Sequence, residues 1–163
     1  MSNIKMIILD KVIEEIDAQI RNSERGRQSA MEDAKSHKGA MQSRYDTFKE
    51  EAQYLAAGYA LQMADLGKQL SSLKNLRSVG VPTIASVSVG AMVEVMDLGD
   101  NSQTRYFLLP AGGGESYEVD GEHVVVVSIA SPIARAFMSK KIGDRAILRL
   151  PTVSKNFIIT SIT

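Results

Sequence analysis

The sequence predicts an α+β protein in which an N-terminal antiparallel helical hairpin precedes a C-terminal antiparallel sheet with one short helix. All 4 prolines lie after residue 81, so the first half contains no proline to interrupt a helix. Apolar residues recur every three or four positions in that half and alternate in the second half. We therefore divide the chain into a coiled-coil finger (1–77), a linker (78–82) and a C-terminal domain (83–163).

The first half predicts two helices, over about residues 6–37 and 41–77. Their apolar residues follow the spacing of a coiled-coil seam. The seam residues are Leu9, Ile13, Ile16 and Ile20, then Phe48, Ala52, Leu55, Tyr59, Leu66, Leu70 and Leu73. Gly39 between the helices suits a left-handed C-cap, so we expect the second helix to fold back on the first. Each helix is then about 45–50 Å long.

Towards the turn, the seam of the first helix becomes small or polar. The residues concerned are Ser23, Arg27, Ala30 and Ala34. Less apolar burial there predicts looser packing near the tip than at the base. Gly26, Gly58 and Gly67 each cost about 1 kcal/mol relative to Ala in a helix interior, and nothing in the sequence explains them.

The second half predicts short strands separated by turns. The predicted strands cover residues 91–98, 105–109, 124–129, 146–150 and 156–162, and residues 117–122 form a short segment rich in turn residues. Gly99–Ser102 and Gly112–Gly114 are turn or loop clusters. Before the last two predicted strands, Ser131 is a helix N-cap and Pro132 a first helical residue, which predicts a short helix ending near Ser139.

Composition excludes several classes of function. The formal net charge is +0, so any electrostatic function depends on local patches. The chain has no Cys, which excludes disulfides and thiolate metal sites and is typical of a cytoplasmic protein. His37 and His123 are far apart in sequence, so we expect no zinc site. No apolar run reaches the roughly 20 residues of a membrane span, and no export signal is evident.

The segment Ser131–Asp144, SPIARAFMSKKIGD, resembles the Ser-Pro-Ile/Met-Gly/Ala-Arg-Ala-Leu-Leu-x-Lys-Lys-x-Gly-Asp segment of the Gre-type bacterial transcript-cleavage factors. The resemblance implies an FKBP-like C-terminal domain that docks on RNA polymerase at the rim of its secondary channel. The helical finger would then enter that channel. The residues implied in docking are Ser131, Pro132, Ile133, Ala134 and Arg135.

The finger tip departs from the pattern of that family. The family tip carries an Asp and a Glu that help hold a polymerase-bound Mg²⁺, and alignment on Tyr45 places Lys38 and Met41 at those positions. The predicted tip comprises His37, Lys38, Gly39, Ala40, Met41, Gln42 and Arg44. An ammonium and a thioether do not ligate Mg²⁺. We therefore expect a regulator of elongation or initiation that does not stimulate RNA cleavage and holds no cofactor of its own.

Other interpretations remain open at this point. Asp46 or Asp33 would have to serve as a metal ligand if the protein supports cleavage. A peptidyl-prolyl isomerase or chaperone would share the sheet, although only 6% of residues are aromatic. A coiled-coil scaffold would self-associate, whereas we expect a monomer.

Basic residues near the tip allow two interpretations. They are Arg21, Arg25 and Lys35, together with Lys38 and Arg44. These side chains either contact nascent RNA or channel phosphates, or form a solvated face paired with neighbouring carboxylates.

Overall fold

The structure, a computed structural model, describes residues 3–36, 42–80 and 85–163. Two long helices precede a six-stranded sheet that carries one short helix. The elements are α1 (Asn3–Ser36), α2 (Gln42–Val79), β1 (Met92–Asp97), β2 (Gln103–Leu109), β3 (Ser116–Val119), β4 (Glu122–Ser128), α3 (Pro132–Phe137), β5 (Arg145–Arg149) and β6 (Ser154–Ile162). This order confirms the predicted α+β fold and the predicted helical period of the first half. None of the described helices is long and apolar enough to cross a membrane.

The chain forms two compact units. One comprises Glu14–Leu70, and the other comprises Met1–Ile13 together with Ser71–Thr163. α2 continues through Val79, and Gly80 follows with a φ of 76°. Residues 81–84 lie outside the described part of the chain, so the domain boundary that we placed at 78–82 stays a prediction.

In the Glu14–Leu70 unit, α1 and α2 pack along one row of each helix. On α1 the row includes Ile16 and Ser23, both nearly fully buried, and on α2 it includes Ala52 and Leu66. The prediction for Leu55 was wrong, because this side chain is 55% exposed. The row on α2 passes from Ala52 to the half-buried Ala56 instead, since a helix residue four positions on returns closer to the same face than one three positions on.

Gly26 is explained by close packing against α2. A Cβ at Gly26 would lie 2.7 Å from Cζ of Tyr59, well inside van der Waals contact. A Cβ at Gly67 would meet no atom within 4 Å. The glycine at position 26 therefore makes room for the Tyr59 ring.

These two glycines give a matched prediction. Gly67→Ala is expected to stabilise the hairpin by about 0.5–1 kcal/mol through helix propensity. Gly26→Ala is expected to destabilise it by about 1 kcal/mol, because the added methyl group displaces the Tyr59 ring. Both changes in the free energy of unfolding are measured by urea denaturation, with the circular dichroism signal of the helices as the probe. In a Tyr59→Ala background, Gly26→Ala should become stabilising; equal gains from both substitutions in the wild-type background would contradict the packing argument.

The first turns of α1 and the last turns of α2 belong to the unit that contains the sheet. Leu9 and Leu73 are fully buried there. The guanidinium of Arg77 donates hydrogen bonds to both carboxylate oxygens of Asp10, one of them at 3.1 Å. Lys5 is 4% exposed, and burial lowers the pKa of its ammonium group from the ordinary value. The Lys11 ammonium lies 5.9 Å from the centroid of the Tyr117 ring, which ties α1 to β3.

The strand order in the sheet is β3-β4-β2-β1-β6-β5. The prediction of an antiparallel sheet holds for every neighbouring pair except one, since β2 and β4 run parallel, with Phe107 opposite Val126. β3 causes this difference. It lies antiparallel to β4 at the sheet edge, so the chain reverses direction once more before it enters β4 beside β2.

The sheet is buried on both faces. α3 covers one face, over a core that contains Val93, Leu108, Phe137, Phe157 and Ile159. By strand alternation Phe107, Val124 and Val126 point to the other face, and each is fully buried. Apolar side chains on both faces explain why β4 reads as a nearly continuous run of Val rather than as an alternating strand.

The β1–β2 turn is fixed by Asp97. Its carboxylate accepts a hydrogen bond from the Gly99 amide at 2.8 Å and one from the Lys155 ammonium at 2.9 Å. The Gly99 amide, followed by Lys155, holds the pKa of this carboxyl below its ordinary value. Because the folded state favours the carboxylate, these contacts stabilise the fold above the ordinary carboxyl pKa and are lost as the pH falls through the lowered one.

Candidate functional site

The segment after β4 folds as the sequence predicts. The Ser131 side chain accepts a hydrogen bond from the Ala134 amide at 3.2 Å, and Pro132 occupies the first helical turn. The Arg135 amide donates to the Ser131 carbonyl at 3.0 Å, which closes that turn. A local cap and a proline therefore set the start of α3 without help from distant residues.

The predicted docking residues divide into an exposed set and an anchored set. Pro132 and Arg135 are exposed, whereas Ser131 and Ile133 are half-buried. Ala134 is fully buried in the core beneath the helix. Pro132 and Arg135 are therefore exposed on α3, and Ala134 packs this helix against the core of the sheet.

A turn after α3 holds the end of the helix in place. Ser139 has a positive φ of 64°, and its amide donates to the Val87 carbonyl at 2.8 Å. In return, the Val87 amide donates to the Lys140 carbonyl at 2.7 Å. The Asp144 carboxylate accepts from the Lys141 amide at 2.8 Å, which closes the Gly-Asp turn before β5. The role of Val87 is not predictable from the sequence, because a single apolar residue outside a strand carries no periodic signal.

The predicted tip lies mostly outside the described residues. His37, Lys38, Gly39, Ala40 and Met41 fall there, so their predicted roles stay predictions. Gln42 and Arg44, at the start of α2, are exposed.

The two carboxylates considered as metal ligands are both exposed. Gln42 donates from its side-chain amide to the Asp46 carboxylate at 3.4 Å. The Asp33 carbonyl accepts from the Ser36 hydroxyl at 2.8 Å, on the last turn of α1. Within residues 3–36, 42–80 and 85–163, no group of three His, Asp or Glu side chains is placed to hold a metal ion. The alternative in which Asp33 or Asp46 contributes a ligand to a polymerase-bound Mg²⁺ stays a prediction.

A groove lies between the helices close to the tip. Its volume is about 310 Å³, and Met31, Ala34, Tyr45 and Ala52 contribute apolar lining. Lys35 and Lys49 also line it. The small side chains of Ala34 and Ala52 leave this space unfilled, in agreement with the looser packing predicted for this end of the hairpin.

Part of the basic charge near the tip is paired with neighbouring carboxylates. The Arg21 guanidinium lies 3.6 Å from the Asp17 carboxylate, one helical turn away. Arg27 forms a two-pronged contact with Glu24 at 2.8 and 3.0 Å. The Arg27 guanidinium lowers the pKa of the Glu24 carboxyl from its ordinary value. The pair with Asp17 favours the interpretation of a solvated helix face for Arg21. Arg27, which was predicted on the seam, is half-buried.

Residues 82–163 match the model of the family described as "Transcription elongation factor, GreA/GreB, C-term". The chain belongs to the GreA/GreB family of transcription elongation factors. The matched residues include the whole sheet and the Ser131–Asp144 segment on which the resemblance was based.

Two GreA proteins extend the likeness to most of the chain. Transcription elongation factor GreA of Aliarcobacter butzleri (strain RM4018) is 30% identical over 120 residues, which cover 70% of each chain. That of Helicobacter hepaticus (strain ATCC 51449 / 3B1) is 29% identical over 119 residues, which cover 70% of this chain and 69% of that protein.

A solved structure that this chain resembles is that of the GreA factor homolog 1 (Gfh1) protein of Thermus thermophilus. It is 17% identical, with a TM-score of 0.38, over 97% of this chain and 94% of that one.

Proposed function

We propose that this GreA/GreB-family protein binds RNA polymerase through the surface around α3 and places its helical hairpin in the secondary channel. There it regulates elongation or initiation without stimulating RNA cleavage. Family membership supports the role in transcription. The composition of the finger tip supports the absence of cleavage, and this is the observation on which the proposal depends.

The dimensions of the hairpin suit insertion into a channel. α1 contains 34 residues, which corresponds to about 50 Å at 1.5 Å per residue, and its part outside the sheet-containing unit, residues 14–36, to about 35 Å. A finger of tens of ångströms is of the right order to bring a tip from the rim of a channel to a buried active centre. Most exposed residues of the hairpin are charged or polar, although Tyr54, Leu55 and Leu61 are large apolar side chains that are also exposed.

The tip supplies no carboxylate ligand for a magnesium ion. Between Asp33 and Asp46 the sequence contains no carboxylate, and it contains the cations Lys35, Lys38 and Arg44. Magnesium binds carboxylates and other oxygen donors. Beside the acidic centre of a polymerase, these cations oppose the recruitment of a further metal ion. The metal-activated water that cleaves RNA then lacks its support.

The docking part of the proposal is tested at Arg135. Arg135→Glu is expected to weaken binding to core RNA polymerase about tenfold or more, because it reverses the charge at the centre of the proposed contact surface. The melting temperature should stay unchanged, since the side chain is exposed. Fluorescence anisotropy of the labelled full chain, titrated with core polymerase, measures the affinity.

A matched control separates a specific contact from general charge. Arg149 lies on β5 and is also exposed, so Arg149→Glu changes the net charge by the same amount. It should leave the affinity within about twofold of wild type. Equal weakening by both variants, or no weakening by Arg135→Glu, would remove α3 as the docking surface.

A further inference from the structure

α2 carries a second, outward row of residues that the hairpin does not bury. Tyr54 is 83% exposed and Leu61 is 75% exposed, and both lie on this row. The row consists of Glu51, Tyr54, Gly58, Leu61, Asp65 and Lys68, all of them exposed. Two large side chains held in water on one face of a helix offer apolar area to a partner.

The members of this row share one face of α2. Successive members lie alternately three and four residues apart, as residues on one side of a helix do. At 100° per residue, the row lies roughly 140° around α2 from the inner row that packs on α1. It extends for about 26 Å along the helix axis. α2 therefore has a second face, with two large apolar side chains, that the hairpin leaves exposed.

Gly58 at the middle of the outward row has no role inside the chain. A Cβ at this position would meet no atom within 4 Å, in contrast to Gly26, which faces Tyr59. An exposed glycine in a helix interior costs about 1 kcal/mol relative to Ala. A glycine does, however, allow the side chain of a second helix to reach the backbone.

We propose that the outward row of α2 binds the same row of a second copy of the chain, with the two helices antiparallel. In that register Glu51 lies opposite Lys68 of the second copy, Tyr54 opposite Asp65, and Leu61 opposite Gly58. Each pairing occurs twice, as the two-fold symmetry of an isologous interface requires. The leucine fills the space above the glycine, and the tyrosine hydroxyl is positioned to donate to the aspartate.

The charges select this orientation over the parallel one. A parallel pair would place Glu51 against Glu51 and Asp65 against Asp65 of the second copy, which is repulsive. It would also place glycine against glycine and leave a gap at the centre. Only the antiparallel register joins opposite charges at the ends and fills the centre. The short seam predicts a weak dimer, which forms at high protein concentration.

Sedimentation equilibrium of the full chain, from about 1 µM to about 1 mM, tests the dimer over the range of weak affinities. The mass is expected to rise from the monomer value of 17.8 kDa towards twice that value. Leu61→Lys is expected to stay monomeric, because a charged side chain replaces the leucine over Gly58. Ala60→Lys is the matched control, since Ala60 is exposed on the other side of α2 and its substitution should leave association unchanged.

Two further variants separate association from folding. Gly58→Leu should raise the stability of the helix yet abolish the dimer, because its side chain fills the space that Leu61 of the second copy needs. Glu51→Lys should weaken the dimer, and Glu51→Lys combined with Lys68→Glu should restore it.

Three outcomes would overturn the proposal. The first is a wild-type chain that stays monomeric over the whole concentration range. The second is a Leu61→Lys variant that dimerises like wild type. The third is an Ala60→Lys variant that loses dimerisation to the same extent as Leu61→Lys. A monomeric wild type whose binding to core polymerase is weakened by Leu61→Lys would instead assign this face to the polymerase.

Discussion

Phe137→Ala is expected to destabilise the sheet-containing unit by about 3–5 kcal/mol. The side chain is fully buried at the end of α3. Its ring centroid lies 5.4 Å from that of Tyr106 and 5.6 Å from that of Phe157, the latter in an edge-to-face contact. Truncation removes both ring contacts and leaves a cavity beneath α3. A loss of this size is a large fraction of the stability of a small domain.

The change in the free energy of unfolding is measured by urea denaturation, with amide hydrogen exchange in β2 and β6 as the probe. Ile147→Ala is the control, because Ile147 is 50% exposed on β5 and its truncation should cost less than about 0.5 kcal/mol. Polymerase binding should be lost with Phe137→Ala, since the helix that presents Arg135 loses its support. If Phe137→Ala lowers the free energy of unfolding by less than about 1.5 kcal/mol, then α3 is held mainly by its cap and flanking turns.

Restoring acids to the tip is expected to produce the largest functional change. The double substitution Lys38→Asp with Met41→Glu places carboxylates where the alignment with Gre-type factors expects them. Carboxylate oxygens are suitable ligands for Mg²⁺, and removal of the Lys38 ammonium lowers the local positive charge. The variant is expected to raise the rate of RNA cleavage in a backtracked complex at least tenfold over the wild-type protein.

Neutral substitutions provide the control for this gain. Lys38→Asn with Met41→Gln removes the same side chains and adds amide groups in place of carboxylates. It should leave cleavage at the rate of the polymerase alone. Equal cleavage by both double variants would mean that charge removal, rather than metal ligation, produces the effect. No gain with the acidic pair would contradict the alignment of the tip.

Local signals predicted most of the fold, because they act within a few residues. The Ser131 cap and Pro132 defined the start of α3, and strand alternation defined β1. Leu55 was misplaced because apolar character alone does not distinguish an inner from an outer row; the small Ala56 occupies the seam instead. The parallel β2–β4 pair was missed because strand pairing depends on contacts between distant residues.

The functional site was predictable to a lesser extent. The identities of Lys38 and Met41 indicate that the tip lacks the two carboxylates of the family pattern, and this follows from the sequence without a structure. The outward row of α2 was overlooked because its members include a glycine and three charged residues, so it lacks an apolar period. The exposure of Tyr54 and Leu61, which the structure shows, distinguishes this face from the other polar faces of α2.

The central claim is that this protein occupies the polymerase channel without supporting cleavage. A stalled, backtracked elongation complex tests it most directly, with the length of the RNA followed over time in the presence and absence of a cleavage-competent Gre factor. We predict that the protein alone leaves the RNA intact and that, in excess, it slows cleavage by the competent factor. Shortening of the RNA by this protein alone, or no effect on the competent factor, would contradict the account.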